Sequence, residues 1–313
     1  MTGPANSGGD APVSPAWSVP APHGWIVLDK PVGLGSTQAV AAVRRNLRQA
    51  GFGRLRVGHG GTLDPLASGV LPIAIGEATK LAGRMLDASK VYEFTIAFGE
   101  ETDTLDREGT VIATAAHRPE LGAVHAMLTM FTGPIEQVPP VFSALRVAGR
   151  RAHARARAGE TVVLAPRRVT IHALGLTGHE PVAQAAPVGN GRAAGDDARC
   201  EGVTLRAHVS KGTYIRSLAR DLARSLGTCG HVTFLRRLRA GPFDLAGAIS
   251  LDKLDEIGKG APLKNVILPL EAGLDDIPAL DLSPAAAGAV HQGRVLTGLP
   301  FDDGLYWARA GTV

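Results

Sequence analysis

The sequence predicts an α+β fold, in which helices flank a mixed, mostly antiparallel β-sheet. Strand-like and helix-like segments are interleaved along the chain, and the strand-like segments are short and alternate apolar with polar residues. Such alternation is typical of antiparallel strands with one buried face, not of strands buried in a parallel sheet. With 313 residues, 45% of them apolar, the chain is long enough for one large domain and a smaller one.

The first predicted elements are a strand and a helix near the start of the chain. Residues 25–31 (WIVLDKP) form an apolar run that ends at a proline, which indicates a strand leading into a loop. Ser36 is the expected N-cap of a helix that stops at Gly51. The residues expected on its buried face and its outward-facing arginines are, respectively, Val40, Val43 and Leu47, and Arg44, Arg45 and Arg48.

Two later segments predict a further strand and a strand-turn-helix unit. Residues 91–99 (VYEFTIAFG) alternate strictly, which predicts a strand with its aromatic and apolar residues on one side. Residues 204–227 alternate as far as Val209, turn at Lys211 and Gly212, and then carry leucines at helical spacing before Gly227. Both patterns fit the antiparallel α+β interpretation.

Composition divides the chain into parts. Residues 1–22 are rich in Pro, Gly, Ser and Ala, and we expect a disordered tail there. Residues 181–202 have low complexity and predict a disordered loop inserted in the main domain. The sign of the charge changes near Leu245, which predicts a boundary between residues 23–245 and a small C-terminal domain over residues 246–313.

Several protein classes are excluded by what the sequence lacks. The start has no basic segment followed by an apolar core, so no signal peptide is expected, and no apolar run approaches the roughly 20 residues of a membrane span. Cys200 and Cys229 lie in no metal-binding or disulfide pattern, which indicates free thiols and a cytoplasmic protein.

Positive charge is concentrated in two stretches. Residues 146–168 hold seven arginines and one acid, Glu160, and residues 204–239 hold eight basic residues and one acid, Asp221. Arginine suits bidentate contacts to phosphate, so these stretches indicate a polyanionic partner. A solvated basic face explains the same charges, and the charge pattern alone leaves both interpretations open.

The stretch GHGGTLDPLASGVLP, residues 58–72, holds four glycines and two prolines around one carboxylate, Asp64. Glycine permits turns closed to other residues and close approach of a bulky ligand, and Pro65 biases Asp64 toward extended backbone. An ordinary Asp-Pro turn fits as well as a carboxylate held for catalysis. His59 has three open interpretations: a base, an RNA contact or a loop histidine.

No cofactor is expected, because the sequence contains no phosphate-binding loop for a nucleotide, no nucleophile elbow and no zinc-protease motif. No motif places a second carboxylate beside Asp64 as a glycosidase requires, although a distant one could join it in the fold.

The same stretch, followed by IGEATKL, resembles the catalytic block of the TruB family of pseudouridine synthases. Four further segments resemble motifs of that family in the same order: LDKPVGLGST, KVYEFTIAFGEETDTLDREG, PPVFSALRVAGRRAHARARAG, and VSKGTYIRSLARDLARSLG with GHVTFLRRLRAGPF. Together they lie between about residues 25 and 243 and so cover the whole larger domain.

The resemblance implies a pseudouridine synthase fold and the conversion of uridine 55 in the T-loop of tRNA to pseudouridine, without cofactor or metal. Asp64 matches the catalytic aspartate, Tyr92 the tyrosine that stacks on the target base, and Arg216 the arginine that pairs with the aspartate. The remaining matches are Tyr214 and Leu235 as apolar walls of the uridine pocket, Lys30 with Pro31 as the motif beneath it, and His59 as the histidine near the flipped bases of the T-loop.

The resemblance also implies an RNA-gripping insertion at about residues 135–170 and a PUA-like, β-rich C-terminal domain. The insertion departs from the family pattern at Phe142, where a tyrosine is usual, at Arg146, where a lysine is usual, and at His153, where an aromatic residue, often tyrosine, is common. The charge and the ring are kept, but a hydroxyl is lost. The implied partner is tRNA, through its T-arm. We expect a monomer that needs no membrane and no obligate protein partner.

Other functions remain as alternatives. The chain could be a tRNA-binding chaperone in which Asp64 is structural, or a guide-dependent pseudouridine synthase that works within a ribonucleoprotein. A glycoside hydrolase is a weaker alternative, because no motif supplies its second carboxylate.

Overall fold

The computed structural model describes residues 21–182, 198–260, 265–299 and 302–311. Its helices are α1 (Ser36–Gln49), α2 (Ala82–Asp87), α3 (Leu121–Met130), α4 (Ala152–Arg157), α5 (Ile215–Ser225), α6 (Leu251–Gly258) and α7 (Pro284–His291). Its strands are β1 (Gly24–Lys30), β2 (Val57–His59), β3 (Ser68–Ile75), β4 (Lys90–Phe98), β5 (Glu100–Thr102), β6 (Val111–Thr114), β7 (Gly133–Gln137), β8 (Arg146–Val147), β9 (Arg150–Arg151), β10 (Arg167–Pro181), β11 (Cys200–Val209), β12 (Gly230–Ala240), β13 (Phe243–Asp244), β14 (Ala279–Asp281) and β15 (Trp307–Arg309).

A large mixed sheet organises the main domain. Its strands follow the order β1-β3-β12-β4-β11-β10-β7, with β2 paired to β3 and β13 paired to β12. Strands β3 and β12 run parallel, and the other neighbours in this order that the structure describes run antiparallel. The predicted α+β class with a mostly antiparallel sheet is therefore confirmed.

One face of the sheet carries the main core. Phe94, Ile96 and Phe98 of β4 are buried against α5, as the alternation predicts, and Tyr92 packs at the edge of the same cluster. Leu218 and Leu222 of α5 are also buried there, so the helical spacing of its leucines is confirmed. Residues between the end of β11 and the start of α5 line a cleft. The sheet and this helix therefore both contribute to one site.

Helix α1 follows the predicted pattern but not the predicted cap. Its apolar face is buried and its arginines are exposed, and Gly51 ends it with a φ of +89°. The N-cap is Gly35, whose N–H donates to Gln38 Oε1 at 2.8 Å. Ser36 is the first helical residue and not the N-cap that the sequence predicted, because its hydroxyl is taken by the backbone of Leu63.

The expected tail and inserted loop can be compared with the described elements only in part. Residues 1–20 and 183–197, which hold most of the expected tail and loop, lie outside the described residues. The expected loop is nevertheless too long at its end, because β11 begins at Cys200 and Gly202 pairs with Ala97 of β4.

Packing also continues across the expected boundary at Leu245. Ile249 exchanges backbone hydrogen bonds with β1, Leu254 and Ile257 of α6 are buried against α1, and Leu268 pairs with Trp25. The change in charge therefore does not mark the end of the core. The described part of the C-terminal region after this packed segment contains α7 and one short parallel strand pair, β14–β15.

The insertion leaves the sheet between β7 and β10. These two strands pair from Arg167↔Gln137 to Ile171↔Gly133, so both ends of the expected insertion belong to the sheet. Residues 138–166 carry the hairpin β8–β9 and the short helix α4.

Candidate active site

A cleft of about 280 Å³ opens beside the loop between β2 and β3. Its lining brings together residues from four separate parts of the chain that sequence reasoning singled out: Asp64, Tyr92, Tyr214, Arg216 and Leu235. The volume lies near the lower end of small-ligand pockets. The cleft can therefore take one flat ring of nucleobase size, with a carboxylate at one wall.

The carboxylate of Asp64 is held by the guanidinium of Arg216. Arg216 Nη2 lies 2.9 Å from Asp64 Oδ2, and the arginine side chain is 7% exposed whereas that of Asp64 is 40% exposed. Arg216 is fixed in turn by donating to the carbonyl oxygens of Thr104, at 2.8 Å, and Phe142, at 3.0 Å. A buried arginine thus aims a carboxylate that remains open to the cleft.

A second carboxylate, Asp106, shares the same arginine and was missed by sequence reasoning. Its Oδ2 lies 3.4 Å from Arg216 Nη1, while its Oδ1 accepts hydrogen bonds from Thr104 Oγ1 and the N–H of Glu108. Its side chain is 11% exposed. Because its oxygens are already occupied, Asp106 orients Arg216 and leaves the open carboxylate to Asp64. The signal was the Thr-Asp turn in TDTLDREG, which sequence reasoning noted only as part of a motif.

The loop that carries Asp64 is fastened to the segment after β1. Ser36 Oγ donates to the carbonyl of Leu63 and accepts from its N–H, both at 2.8 Å. The carbonyl of Pro65 accepts from the N–H of Gly33 at 2.8 Å and from Lys30 Nζ at 3.3 Å. The residues on both sides of Asp64 are therefore tied to one rigid segment.

Lys30 was expected as part of the motif beneath the uridine pocket and among the substrate-binding residues, and the structure places it under the Asp64 loop, outside the lining of the cleft. It is fully buried, and its ammonium also donates to the carbonyls of Pro31 and Leu34. Burial lowers its pKa to about 8, opposed by the nearby Asp64 carboxylate and reinforced by Arg237. With its donors used on backbone oxygens under the loop, Lys30 supports the site from below without reaching the cleft.

Arg237 also supports the loop, through the backbone before Asp64, and was missed from the sequence. It is 1% exposed, and it donates to the carbonyls of Val70 at 2.7 Å and of Thr62 and Gly61 at 3.2 Å. Its backbone leaves room for nothing but glycine at position 69, where a Cβ would lie 2.2 Å from the Arg237 carbonyl oxygen. Sequence reasoning counted Arg237 only as one charge in a basic stretch.

The apolar walls come from adjacent strands and the start of α5. Tyr92 of β4 stands opposite Arg237 of β12 in the strand register, and Leu235 of β12 lies two residues earlier on the same strand. Tyr214 caps the start of α5, where its N–H donates to Gln137 Oε1 at 2.8 Å. Burial raises the pKa of the Tyr214 phenol.

His59 lies apart from this group. It lines a neighbouring cleft that also includes Asp64, together with Arg151, His153 and Arg157 of the insertion. Its Nδ1 accepts from the N–H of Gly61 at 3.3 Å, and burial, with help from Arg237, lowers its pKa. The lowered pKa favours the uncharged form of the ring.

Within the described parts of the chain, no three His, Cys, Asp or Glu side chains are grouped so as to hold a metal ion. The described helices also include none that is long and apolar enough to cross a membrane.

Family models match most of the chain. Residues 45–215 match the model described as "TruB family pseudouridylate synthase (N terminal domain)". Residues 216–275 match the model described as "tRNA pseudouridylate synthase B C-terminal domain".

Similar proteins span nearly the whole chain. A protein of Novosphingobium aromaticivorans named tRNA pseudouridine synthase B is 67% identical over 290 residues, which are 93% of this chain and 91% of that protein. One of Zymomonas mobilis with the same name is 54% identical over 286 residues, 91% of this chain and 88% of that protein.

Solved structures share the fold. A chain of a Cbf5-Nop10-Gar1 complex superposes with a TM-score of 0.62 at 26% identity, over 86% of this chain and 67% of that chain. A chain of an H/ACA RNP bound to a substrate RNA superposes with a TM-score of 0.64 at 24% identity, over 92% of this chain and 74% of that chain, and shows the fold alone. Taken with the matched models and the 67% identity over most of the chain, these findings show that the protein belongs to the TruB family of pseudouridine synthases.

Proposed function

We propose that this chain is a tRNA pseudouridine synthase that isomerises uridine 55 in the T-loop, with Asp64 as its catalytic carboxylate. The observation that carries the assignment of residues is the Asp64–Arg216 pair, 2.9 Å apart, at the wall of a cleft lined by Tyr92, Tyr214 and Leu235. The names of the relatives from Novosphingobium aromaticivorans and Zymomonas mobilis support tRNA as the substrate.

The reaction exchanges one bond for another within the nucleotide. The glycosidic bond between N1 and C1′ breaks, the base turns, and a bond forms between C5 and C1′. The proton on C5 leaves to water, and N1 gains a proton, so no atom is added and no redox partner is required. The protein must therefore supply only placement and electrostatic stabilisation.

Charge and shape divide this work between the two sides of the cleft. Positive charge develops on the sugar as the bond to N1 breaks, and the open carboxylate of Asp64 serves that side. Arg216 holds the carboxylate in one orientation. Tyr92 stacks on the freed ring, a contact worth roughly 1 to 3 kcal/mol for a nucleobase, while Leu235 and Tyr214 confine the ring as it turns.

A base inside a structured loop is out of reach, so the target nucleotide is flipped into the cleft at a cost of a few kcal/mol. The exposed arginines of the insertion, residues 146–168, hold the T-arm backbone. His59 lies beside the position in the T-loop that the flipped nucleotide has left. Lys30 acts as a positioning residue under the Asp64 loop, in line with its full burial.

We propose further that the chain acts in the cytoplasm as a monomer on free tRNA, with no guide RNA and no obligate protein partner. The two proteins at 67% and 54% identity carry the name of a tRNA enzyme. The chain of the Cbf5-Nop10-Gar1 complex is 26% identical to this chain, and the chain of the H/ACA RNP is 24% identical.

The test is position-resolved mapping of pseudouridine in an unmodified tRNA transcript incubated with the purified protein alone. Pseudouridine at position 55, and none in a transcript that carries cytidine there, is the expected result. Refolding of tRNA without any pseudouridine would instead favour the chaperone. Inactivity on free tRNA, restored by a guide ribonucleoprotein, would favour the guide-dependent alternative.

A further inference from the structure

An exposed arginine surface lies outside the site and outside the insertion. It is formed by the outward face of α1 and the segment that leads into β2, and it consists of Arg44, Arg45, Arg48, Arg54 and Arg56. We call it the α1 arginine surface. All five side chains are exposed. The chain contains no Asp or Glu between Asp29 and Asp64, so no acid close in sequence neutralises it.

Few of these charges are used within the protein. Arg44 donates to the carbonyl of Val57 at 3.1 Å, and Arg45 lies 3.9 Å from Asp255 of α6, a pair that is more than half exposed. The side chains of Arg48 and Arg54 make no hydrogen bond or ion pair with any residue that the structure describes. Arginine is suited to phosphate because its planar fork presents several donors at once.

The α1 arginine surface continues outward from the cleft that holds His59. The lining of that cleft includes the start of α1 and the end of β2, together with Arg151 and Arg157 of the insertion. At 1.5 Å per residue, Arg48 lies about 18 Å along the helix axis from Ser36. RNA that enters from the insertion and passes Asp64 would therefore emerge along α1.

We propose that the α1 arginine surface binds the phosphate backbone of the tRNA beyond the T-arm hairpin. This inference rests on the proposed function and adds a second contact region to it. Phosphate contacts of this kind position a nucleic acid without reading its sequence, and they make binding depend on salt. The T-arm hairpin contacts only the cleft and the insertion, and the rest of the tRNA is needed to reach α1.

The experiment compares two RNAs and three proteins. Dissociation constants are measured for a T-arm hairpin and for a full-length tRNA transcript, between about 50 and 200 mM salt. The proteins are the wild type, Arg48→Gln/Arg54→Gln, and Arg199→Gln/Arg206→Gln as a control of equal charge. The control residues are exposed, and Arg206 is on β11 next to Leu205 and Ala207 of the core, on the opposite face of the sheet.

We expect Arg48→Gln/Arg54→Gln to bind the hairpin like the wild type but to bind full-length tRNA about tenfold more weakly, with a salt slope lower by about 2. The control should bind both RNAs like the wild type. Equal loss on hairpin and tRNA, equal loss in the control, or no loss on tRNA would each overturn the inference. Failure of the proposed function is separate, because it would appear as a wild-type protein that leaves the hairpin unmodified.

Discussion

Replacing Ser36 with alanine tests how the loop of Asp64 is held. The Ser36 hydroxyl makes two hydrogen bonds of 2.8 Å to the backbone of Leu63, one as donor and one as acceptor. Ser36 is 5% exposed and Leu63 is 4% exposed, so water does not replace the lost hydroxyl. Ser36→Ala therefore leaves a buried N–H and a buried C=O without partners.

The expected cost follows from these two groups. Each buried backbone group left unsatisfied costs about 1 to 3 kcal/mol, and alanine returns about 0.5 kcal/mol in helix propensity. The free energy of unfolding should fall by about 2 to 5 kcal/mol. Because Leu63 precedes Asp64, the carboxylate also loses its fixed position, and a displacement near 1 Å is expected to lower kcat by about 10- to 100-fold.

The assay is urea denaturation together with single-turnover kinetics on the T-arm hairpin. Ser250→Ala is the matched control, because Ser250 is a true N-cap that accepts from the N–H of Lys253. The control should lose about 1 kcal/mol and keep its kcat. If Ser36→Ala lost no more than the control and kept its kcat, the hydroxyl would be an ordinary helix-start group and our account of the loop would be refuted.

Three further predictions concern the other supports of the site. Arg216→Lys should lower kcat about 100-fold with hairpin affinity retained, because one ammonium cannot contact Asp64, Asp106 and two backbone carbonyls at once as the guanidinium does. Gly69→Ala should lower the free energy of unfolding in urea by more than about 2 kcal/mol, because its φ is +103° and its Cβ would meet a carbonyl. For Lys30, whose pKa falls from 10.5 to about 8 on folding, the unfolded chain binds more protons between these values. The shift of Lys30 alone should therefore make stability rise with pH across that window by on the order of 2–3 kcal/mol. Burial also lowers the pKa of Lys90 to about 8, so Lys30→Met should remove only the part of the rise that Lys30 contributes.

Each of these has a result that would count against it. If Arg216→Lys kept kcat within about twofold of the wild type, the guanidinium of Arg216 would not be required to position Asp64. Gly53→Ala, at a glycine with open space around it, provides the reference for Gly69→Ala, and equal stability would remove the steric argument. A wild-type protein whose stability does not rise with pH would show that Lys30 is not buried with its charge.

The regular elements could be predicted because their patterns are local. Alternation in β4 and leucine spacing in α5 depend on neighbours along the chain, and both were correct. The cap of α1 was wrong by one residue, because the Ser36 hydroxyl is claimed by Leu63, which is 27 residues away. A long-range partner of this kind leaves no trace in the local pattern.

The candidate site shows the same difference between features set by local sequence and features set by long-range contacts. The five residues that the family motifs grouped line one cleft, and their roles there stay predictions. Asp106 and Arg237 were missed because their roles depend on what they contact. Arg237 contacts carbonyls more than 160 residues earlier in the chain. The boundary at Leu245 was predicted from charge, which reports on the surface, and the packing of Ile249 and Leu254 on the main domain shows where the core continues.

The most direct test of the account measures the release of tritium from a T-arm hairpin labelled at C5 of the target uridine. Wild-type protein and Asp64→Asn are compared, with hairpin binding measured for both. We predict one tritium released per hairpin by the wild type, none by Asp64→Asn, and equal binding. Release by Asp64→Asn at the wild-type rate, or no release by either protein despite binding, would contradict the claim that the carboxylate held by Arg216 carries the chemistry.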